Sequence, residues 1–242
     1  MDKLKAIRLY KIGLSLPQGS TQSQHCFDLS IEADPTFSYA YFEKSVPYNK
    51  RGDYAEGFQL LNRAVKLNPK MHLGYRGWLR LVKVKDYQGC IGDLNQLSKI
   101  KSKNTLNAWG QNINYLMGLS YLGLQEPEKS IEYFDIAIEE TKNVENMIVP
   151  FYKSIALYKL NQFKDSMKIL EECIEQNENF LEAYYYSGKN HLQLGNIEDS
   201  KYYFERALDL YSLRSKIRNP YNEVFFECYR QDIIAEISHL LH

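Results

Sequence analysis

The 242-residue chain is short of proline and glycine, with 7 Pro and 13 Gly against 20 Tyr and 11 Phe. So thin a supply of turn residues excludes a β protein of many short strands and points to long, aromatic-rich helices. The chain also lacks an excess of either charge, with 30 Lys+Arg balancing 30 Asp+Glu. A neutral chain has no global field to attract a phosphate backbone or an anionic lipid surface, so nucleic acid is not the expected partner. No stretch is long and apolar enough to insert in a membrane. Near the N-terminus, Asp2, Lys3, Lys5, Arg8 and Lys11 interrupt every apolar run before the core of a secretory signal can form.

Cysteine is scarce as well. Cys26, Cys90, Cys173 and Cys228 are separated by 64, 83 and 55 residues, with no Cys-x-x-Cys and no Cys/His pair at metal-ligand spacing. That excludes a zinc framework and a disulfide-stapled scaffold and predicts four free thiols, three of them on interior helix faces. The expected compartment is therefore cytoplasmic; an exported protein whose leader was replaced at Met1 is the alternative. What the chain has in normal supply is core material. At 44% apolar and 25% charged residues it lies far from disordered composition, and its length allows one or two domains.

The strongest positive signal is internal repetition. A small, large, small trio recurs at offsets of four and then three residues: Ser23/Phe27/Ser30, Gly57/Leu61/Ala64, Cys90/Leu94/Leu97, Ser130/Phe134/Ala137, Ser166/Leu170/Cys173 and Ser200/Phe204/Ala207. Those offsets lie on one helix face. The last members are 34, 33, 40, 36 and 34 residues apart, so six copies share a period near 34. Ahead of the trios, the dipeptides Gly52-Asp53, Lys85-Asp86, Gln125-Glu126, Asn161-Gln162 and Gly195-Asn196 supply a helix stop followed by capping chemistry. Each is followed by a bulky residue that seals the turn: Tyr54, Tyr87, Pro127, Phe163 and Ile197, with Ser20 the weak first case. Asp34-Pro35 and Asn68-Pro69 close the second helix of the first two units. Upstream of each turn runs another helix with its own aromatic and small positions, clearest in Tyr184, Ser187, Gly188 and His191. Each unit is a helix pair that cannot bury its face alone.

This pattern resembles the tetratricopeptide repeat, whose first helix carries aromatic, Leu and Gly positions and whose second carries Ala, Phe, Ala and a closing Pro. The best match is Leu181 to Ser212, with Tyr184, Gly188, Gly195, Ser200, Phe204 and Ala207 in place; Ser38 to Pro69 is next. The resemblance implies an all-α, right-handed α-solenoid of about six helix pairs, at residues 4–37, 38–71, 72–104, 111–146, 147–180 and 181–214. A capping helix is expected over 219–242, starting at Asn219-Pro220 and offering Val224, Phe225, Cys228, Ile233, Ile237, Leu240 and Leu241. Three departures are visible. Leu97 replaces a small residue and predicts looser packing in the third unit, Pro47 predicts a kink in the second, and Lys99 to Gln111 reads as a basic, solvated connector.

No catalytic constellation is present. His25, His72, His191, His239 and His242 are scattered, with His191 expected in a packed aromatic position, and neither a phosphate loop nor a nucleophile elbow occurs. The expectation is a non-enzymatic protein–protein interaction scaffold without a cofactor or metal. In the family's geometry the first helices line a concave groove, which places Phe42 and Val46, Arg76 and Arg80, Tyr115 and Leu119, Phe151 and Ile155, and Tyr185 and Lys189 there. Such a groove suits a protein or peptide ligand with acidic and apolar elements. Some family members clamp a C-terminal carboxylate with Lys, Asn and Arg; here the matching positions hold Arg8, Ile12, Phe42, Glu43 and Val46, which argues against that ligand. The alternative from another class is an RNA- or phosphate-binding factor using Arg76, Arg80, Lys83 and Lys85.

Overall fold

Six left-handed residues close the inter-helix turns. In the computed structural model, which describes residues 1–100, 107–140, 147–213 and 224–240, they are Gly19, Gly52, Lys85, Gln125, Asn161 and Gly195, with φ of 80, 93, 56, 61, 59 and 78°. A left-handed residue after a helix lets the next N–H turn back onto an orphan carbonyl. Asp53, Glu126, Gln162 and Asn196 do so, donating to the carbonyls of Tyr48, Tyr121, Leu157 and His191 at 2.9, 2.9, 3.0 and 2.9 Å. The dipeptides read as stop-and-cap signals are thus the turns themselves. In the third unit the chain closes through a π-helical segment, Arg80–Val84, so the N–H of Asp86 reaches back six residues to Arg80, at 2.9 Å.

Between the turns lie α1 (Lys3–Ser15), α2 (Thr21–Ala33), α3 (Ser38–Arg51), α4 (Tyr54–Leu67), α5 (Pro69–Leu79), α6 (Tyr87–Ile100), α7 (Ile113–Gly123), α8 (Pro127–Glu140), α9 (Ile148–Lys159), α10 (Phe163–Gln176), α11 (Leu181–Gln193), α12 (Ile197–Ser212) and α13 (Arg230–His239). Asn107–Ala108 and Gln111–Asn112 are short extended stretches. The architecture is all-α, with helices packed pairwise as in a tetratricopeptide-like solenoid. The chain divides into two compact units: one comprises Met1–Leu79 with Gly92–Gly110, the other Arg80–Ile91 with Gln111–His242.

Every member of the six trios is buried. The large central residue of the second helix packs into a gap left by a small residue of the first. A Cβ added at Gly13, Gly118 or Gly188 would meet the rings of Phe27, Phe134 or Phe204 at 2.7, 2.4 and 2.7 Å. The same contact is fixed by a hydrogen bond, since the hydroxyls of Ser23, Ser130, Ser166 and Ser200 donate to the carbonyls of Gly13, Gly118, Ser154 and Gly188, all at 2.9 Å. Buried serines and the carbonyls at the closest approach of the two helices therefore satisfy one another.

The departures are absorbed locally. Leu97 is fully buried rather than loosely packed, because Gly74 on α5 leaves room for it: a Cβ there would lie 3.4 Å from its Cδ2. α3 runs as one helix from Ser38 to Arg51 with Pro47 buried inside it. Cys90, Cys173 and Cys228 are buried and Cys26 half-buried, and none of the four is in a disulfide. Burial pushes the Cys173 thiol up to about 12, with the charge of Glu172 adding to the effect. The C-terminal expectation needs correction. Within the described part of 219–242 the helix is Arg230–His239, and Val224–Tyr229 before it is not helical, with a turn at Phe225 and Phe226, the latter at φ 52°. Asn219, Pro220 and Leu241 lie outside the described residues.

Two glycine substitutions should therefore move stability in opposite directions. Gly118→Ala forces a methyl into the buried Phe134 ring and should destabilise the chain by about 1–3 kcal/mol. Gly92→Ala, on the exposed side of α6 where a Cβ meets nothing within 4 Å, should stabilise it by about 0.5–1 kcal/mol. Denaturant melts monitored by circular dichroism give both signs.

Candidate functional site

The repeating contact occupies the second helices, so the residues left for recognition sit on the first helices. In the first unit these form one continuous aromatic face. Tyr39 and Phe42 of α3 meet His72 of α5 at ring-centroid distances of 5.4 and 5.0 Å, and Phe42 meets Tyr75 edge-on at 5.1 Å. Trp78, one turn further along α5, stacks on Tyr75 at 5.9 Å. Trp109 then closes over the group, 4.6 Å from Tyr75, 6.1 Å from Phe42 and 6.4 Å from Trp78. It is held there by a backbone with φ of 52°, followed by Gly110 at 77°. Left-handed backbone is strained for an aromatic L-residue, and such strain persists only where the surroundings over-determine it. Even so, 52% of Trp109 is exposed.

Two titratable groups belong to this face. His72 is buried, its Nε2 lies 3.0 Å from the Ser38 hydroxyl, and burial pulls its pKa down to about 4, so the ring is neutral at pH 7. Glu43, half-buried one residue beyond Phe42, has its carboxyl pushed up by burial, with Lys50 pulling it back. Burial, and then the charge of Glu43, raises the hydroxyls of Tyr10 and Tyr75 to about 12.

On the second unit, Tyr115 of α7 lies 6.2 Å from Tyr152 of α9, and burial raises the pKa of both. Tyr152 donates its hydroxyl to the Phe225 carbonyl at 3.2 Å. Lys189 of α11 pairs with Glu236 of α13 at 3.3 Å and lies 5.8 and 5.7 Å from the ring centroids of Tyr158 and Tyr185.

The ten residues expected in a groove divide accordingly. Phe42, Tyr115 and Lys189 are partly exposed on first helices. Val46, Leu119, Phe151, Ile155 and Tyr185 are core. Phe151 is enclosed by Phe180, Tyr152 and Tyr186 at 5.0, 5.2 and 5.8 Å, and Tyr185 packs with Phe204, Cys228 and Ile233. A single i, i+4 stripe cannot be wholly exposed on a helix flanked by neighbours on both sides, which is why half the stripe is buried.

The arginines are engaged internally. Arg76 points between α4 and α6, its Nε and Nη2 on Asp93 at 2.9 and 2.6 Å and its Nη1 on Asn62 at 2.8 Å. Arg80 donates to the Gly89 carbonyl at 2.9 Å and lies 3.5 Å from Asp86. Tyr75, one residue before Arg76, is buried between the rings of Phe42, Trp78 and Trp109. Sequence reasoning did not single out Tyr39, Trp78, Tyr152 or, above all, the half-exposed Trp109 of these aromatic clusters. The signal available for the last was a Trp-Gly dipeptide inside the stretch read as a basic connector.

His191, as expected, is packed: it stacks on Tyr203 at 5.0 Å and lies 3.6 Å from Asp199. Among the described residues no group of three or more His, Cys, Asp or Glu could hold a metal ion, and no helix is long and apolar enough to cross a membrane.

The repeat chemistry, the Schellman turns and the paired helices agree with independent comparisons. A family model for the tetratricopeptide repeat matches residues 182–213. Residues 182–213 are thus a tetratricopeptide repeat by sequence, and the paired helices around them share that repeat's fold. The chain is 23% identical over 193 residues to a TPR repeat-containing protein of Methanocaldococcus jannaschii, a match that covers 75% of this chain and 32% of that protein. The chain thus spans about a third of that relative's length. Among solved structures it is similar to PilF of Pseudomonas aeruginosa, with a TM-score of 0.63 at 15% identity over 86% of this chain and 93% of the other. It is also similar to YrrB, described as a TPR protein with an unusual peptide-binding site, with a TM-score of 0.58 at 16% identity over 76% and 91%. At these identities the structures show the fold alone. Proteins of this repeat class generally serve protein–protein interaction.

The buried His72 gives the aromatic face a pH dependence. Its pKa is about 4 when folded against 6.5 in its ordinary state, so the unfolded chain binds the extra proton between those values. Its neutral burial contributes fully above pH 6.5, and that contribution is lost as pH falls toward 4, by about 3 kcal/mol at most. Stability measured from pH 7.5 to 4.5 should fall more steeply for the wild type than for His72→Gln; parallel curves would show that His72 is not the group responsible.

Proposed function

We propose that this chain is a non-catalytic scaffold that binds a peptide or protein segment on its first-helix faces, with aromatic contacts supplying most of the affinity. The observation that carries the reading is Trp109, half exposed, strained and seated on Tyr75 beside Trp78. A large aromatic kept partly in water by a costly backbone is the kind of residue that anchors a partner's apolar side chain. A ligand of this class carries apolar and acidic elements, the apolar ones suiting the aromatic face of the first unit. The likeness to YrrB, a peptide binder by its description, supports the class of ligand.

The phosphate-binding alternative is disfavoured by the engagement of the arginines. All three guanidinium nitrogens of Arg76 already donate to Asp93 and Asn62, and freeing them would strand a buried carboxylate.

Trp78 and Trp109 are the chain's two tryptophans, so its intrinsic emission reports on this face alone. Peptides retained by the full chain from a peptide array should shift that emission to the blue. Trp109→Ala should weaken their binding by about 1–2 kcal/mol, roughly five- to thirtyfold, with little change in melting temperature. Unchanged emission together with unchanged affinity in Trp109→Ala would refute the assignment of this face. A steep loss of affinity with salt would instead revive the phosphate reading.

A further inference from the structure

In the second unit a non-helical segment of the chain lies against Tyr152 and Lys159 of α9. Val224–Tyr229 precedes α13 and is not helical, with Phe225 and Phe226 at a turn. It is held by a main-chain hydrogen bond and by contacts to both phenylalanine rings. The Tyr152 hydroxyl donates to the Phe225 main-chain carbonyl at 3.2 Å, the ammonium of Lys85 stands 4.2 Å from the Phe225 ring centroid, and that of Lys159 stands 5.5 Å from the Phe226 ring. The Phe226 ring also faces Tyr152 at 6.5 Å. Main-chain capture combined with side-chain-specific contacts is how folded domains read linear peptides, and ammonium groups facing aromatic rings add cation–π attraction.

The anchoring is unequal along the segment. Cys228 and Ile233 are built into the core formed by Leu181, Tyr184, Tyr185, Phe204, Ala207 and Leu210. Phe225, Phe226 and Glu227 remain partly exposed, and Phe226 is held at a φ of 52°. The front of the segment can therefore lift away without unpacking its base, and lifting it relieves a strained residue.

We propose that this face is a binding site for linear peptides with two adjacent aromatics followed by an acidic residue, and that Val224–Tyr229 occupies it in cis until a competing segment displaces it. The proposal rests on the peptide-binding reading above and adds the ligand's chemistry and its regulation. Glu227, whose carboxylate accepts from the Tyr229 hydroxyl at 3.1 Å, is the acidic residue of the segment. A tethered occupant acts at a high effective concentration, so the intact chain binds an outside peptide with an affinity reduced by the fraction of time its own segment is bound.

The probe is a fluorescein-labelled hexapeptide with the sequence of residues 224–229, Ser replacing Cys228, read by anisotropy against the full-length chain. The double variant Phe225→Ala/Phe226→Ala should bind it at least tenfold more tightly than the wild type. Adding Tyr152→Phe or Lys159→Ala to that variant should weaken binding severalfold, and a peptide with both phenylalanines replaced by alanine should not bind. A folded double variant that binds no better than the wild type, or binding indifferent to Tyr152 and Lys159, overturns the proposal and makes the segment a structural strap. If the double variant does not fold, as judged by circular dichroism, Phe226→Ala alone is read against the same outcomes. The tryptophan signal of the first unit is a separate readout, so either reading can fail while the other stands.

Discussion

The structure depends on one close approach, repeated. Where Phe27, Phe134 and Phe204 press against Gly13, Gly118 and Gly188, the two helices of a pair are near enough for a serine hydroxyl to reach the carbonyl of the same glycine. Three requirements then hold together. The first helix needs a small residue, the second needs a large one, and a short polar side chain must sit one turn from the large one. The contact is dry, so an unpaired hydroxyl or carbonyl there would cost more than the bond contributes. That explains why serine recurs at the first trio position in four of the six copies, and why leucine accompanies it in the unit where serine faces Ser154 instead of glycine.

A contact of this kind is legible in a sequence because it is local. Its partners lie 10 to 12 residues apart across one turn, the turn is marked by a residue that tolerates left-handed backbone, and the arrangement recurs often enough to be counted. The six trios, the turn dipeptides and the interior positions of Cys90 and Cys173 were readable for that reason, whereas Cys228, expected on a helix face, is buried in the non-helical stretch before α13. Leu97 shows the limit. Its size suggested loose packing, but the space it fills is left by Gly74, 23 residues earlier on a different helix. The register of a neighbour is invisible until both helices are placed.

The candidate site was less legible because it is made of what does not repeat. Counting along first helices placed Arg76 in the groove, but its guanidinium is tied to Asp93 and Asn62 on two neighbouring helices, a pairing that no periodicity within α5 reveals. Trp109 reaches Tyr75 from a segment with no helical period, and Phe225 reaches Tyr152 across 73 residues of chain. Neither contact leaves a periodic trace. The aromatic residues nearest the expected positions were identified, but whether a ring is core or surface depended on what lay across from it. Phe151 is enclosed by Phe180 and Tyr186, whereas Phe42 opens toward Trp109.

Charge and aromatics play different parts on these faces. Arg76 satisfies Asp93 and Asn62, Arg80 satisfies Gly89, and Lys189 satisfies Glu236, so much of the cationic capacity noted in the sequence goes into holding helices in place. Exposed ion pairs contribute little to affinity because solvent and salt screen them. Aromatic surface has no such limit: burying a ring removes apolar area from water, and its face attracts cations without a desolvated counter-charge. A chain with no net charge and 20 tyrosines therefore has more to offer a partner through aromatic contact than through a net electrostatic field.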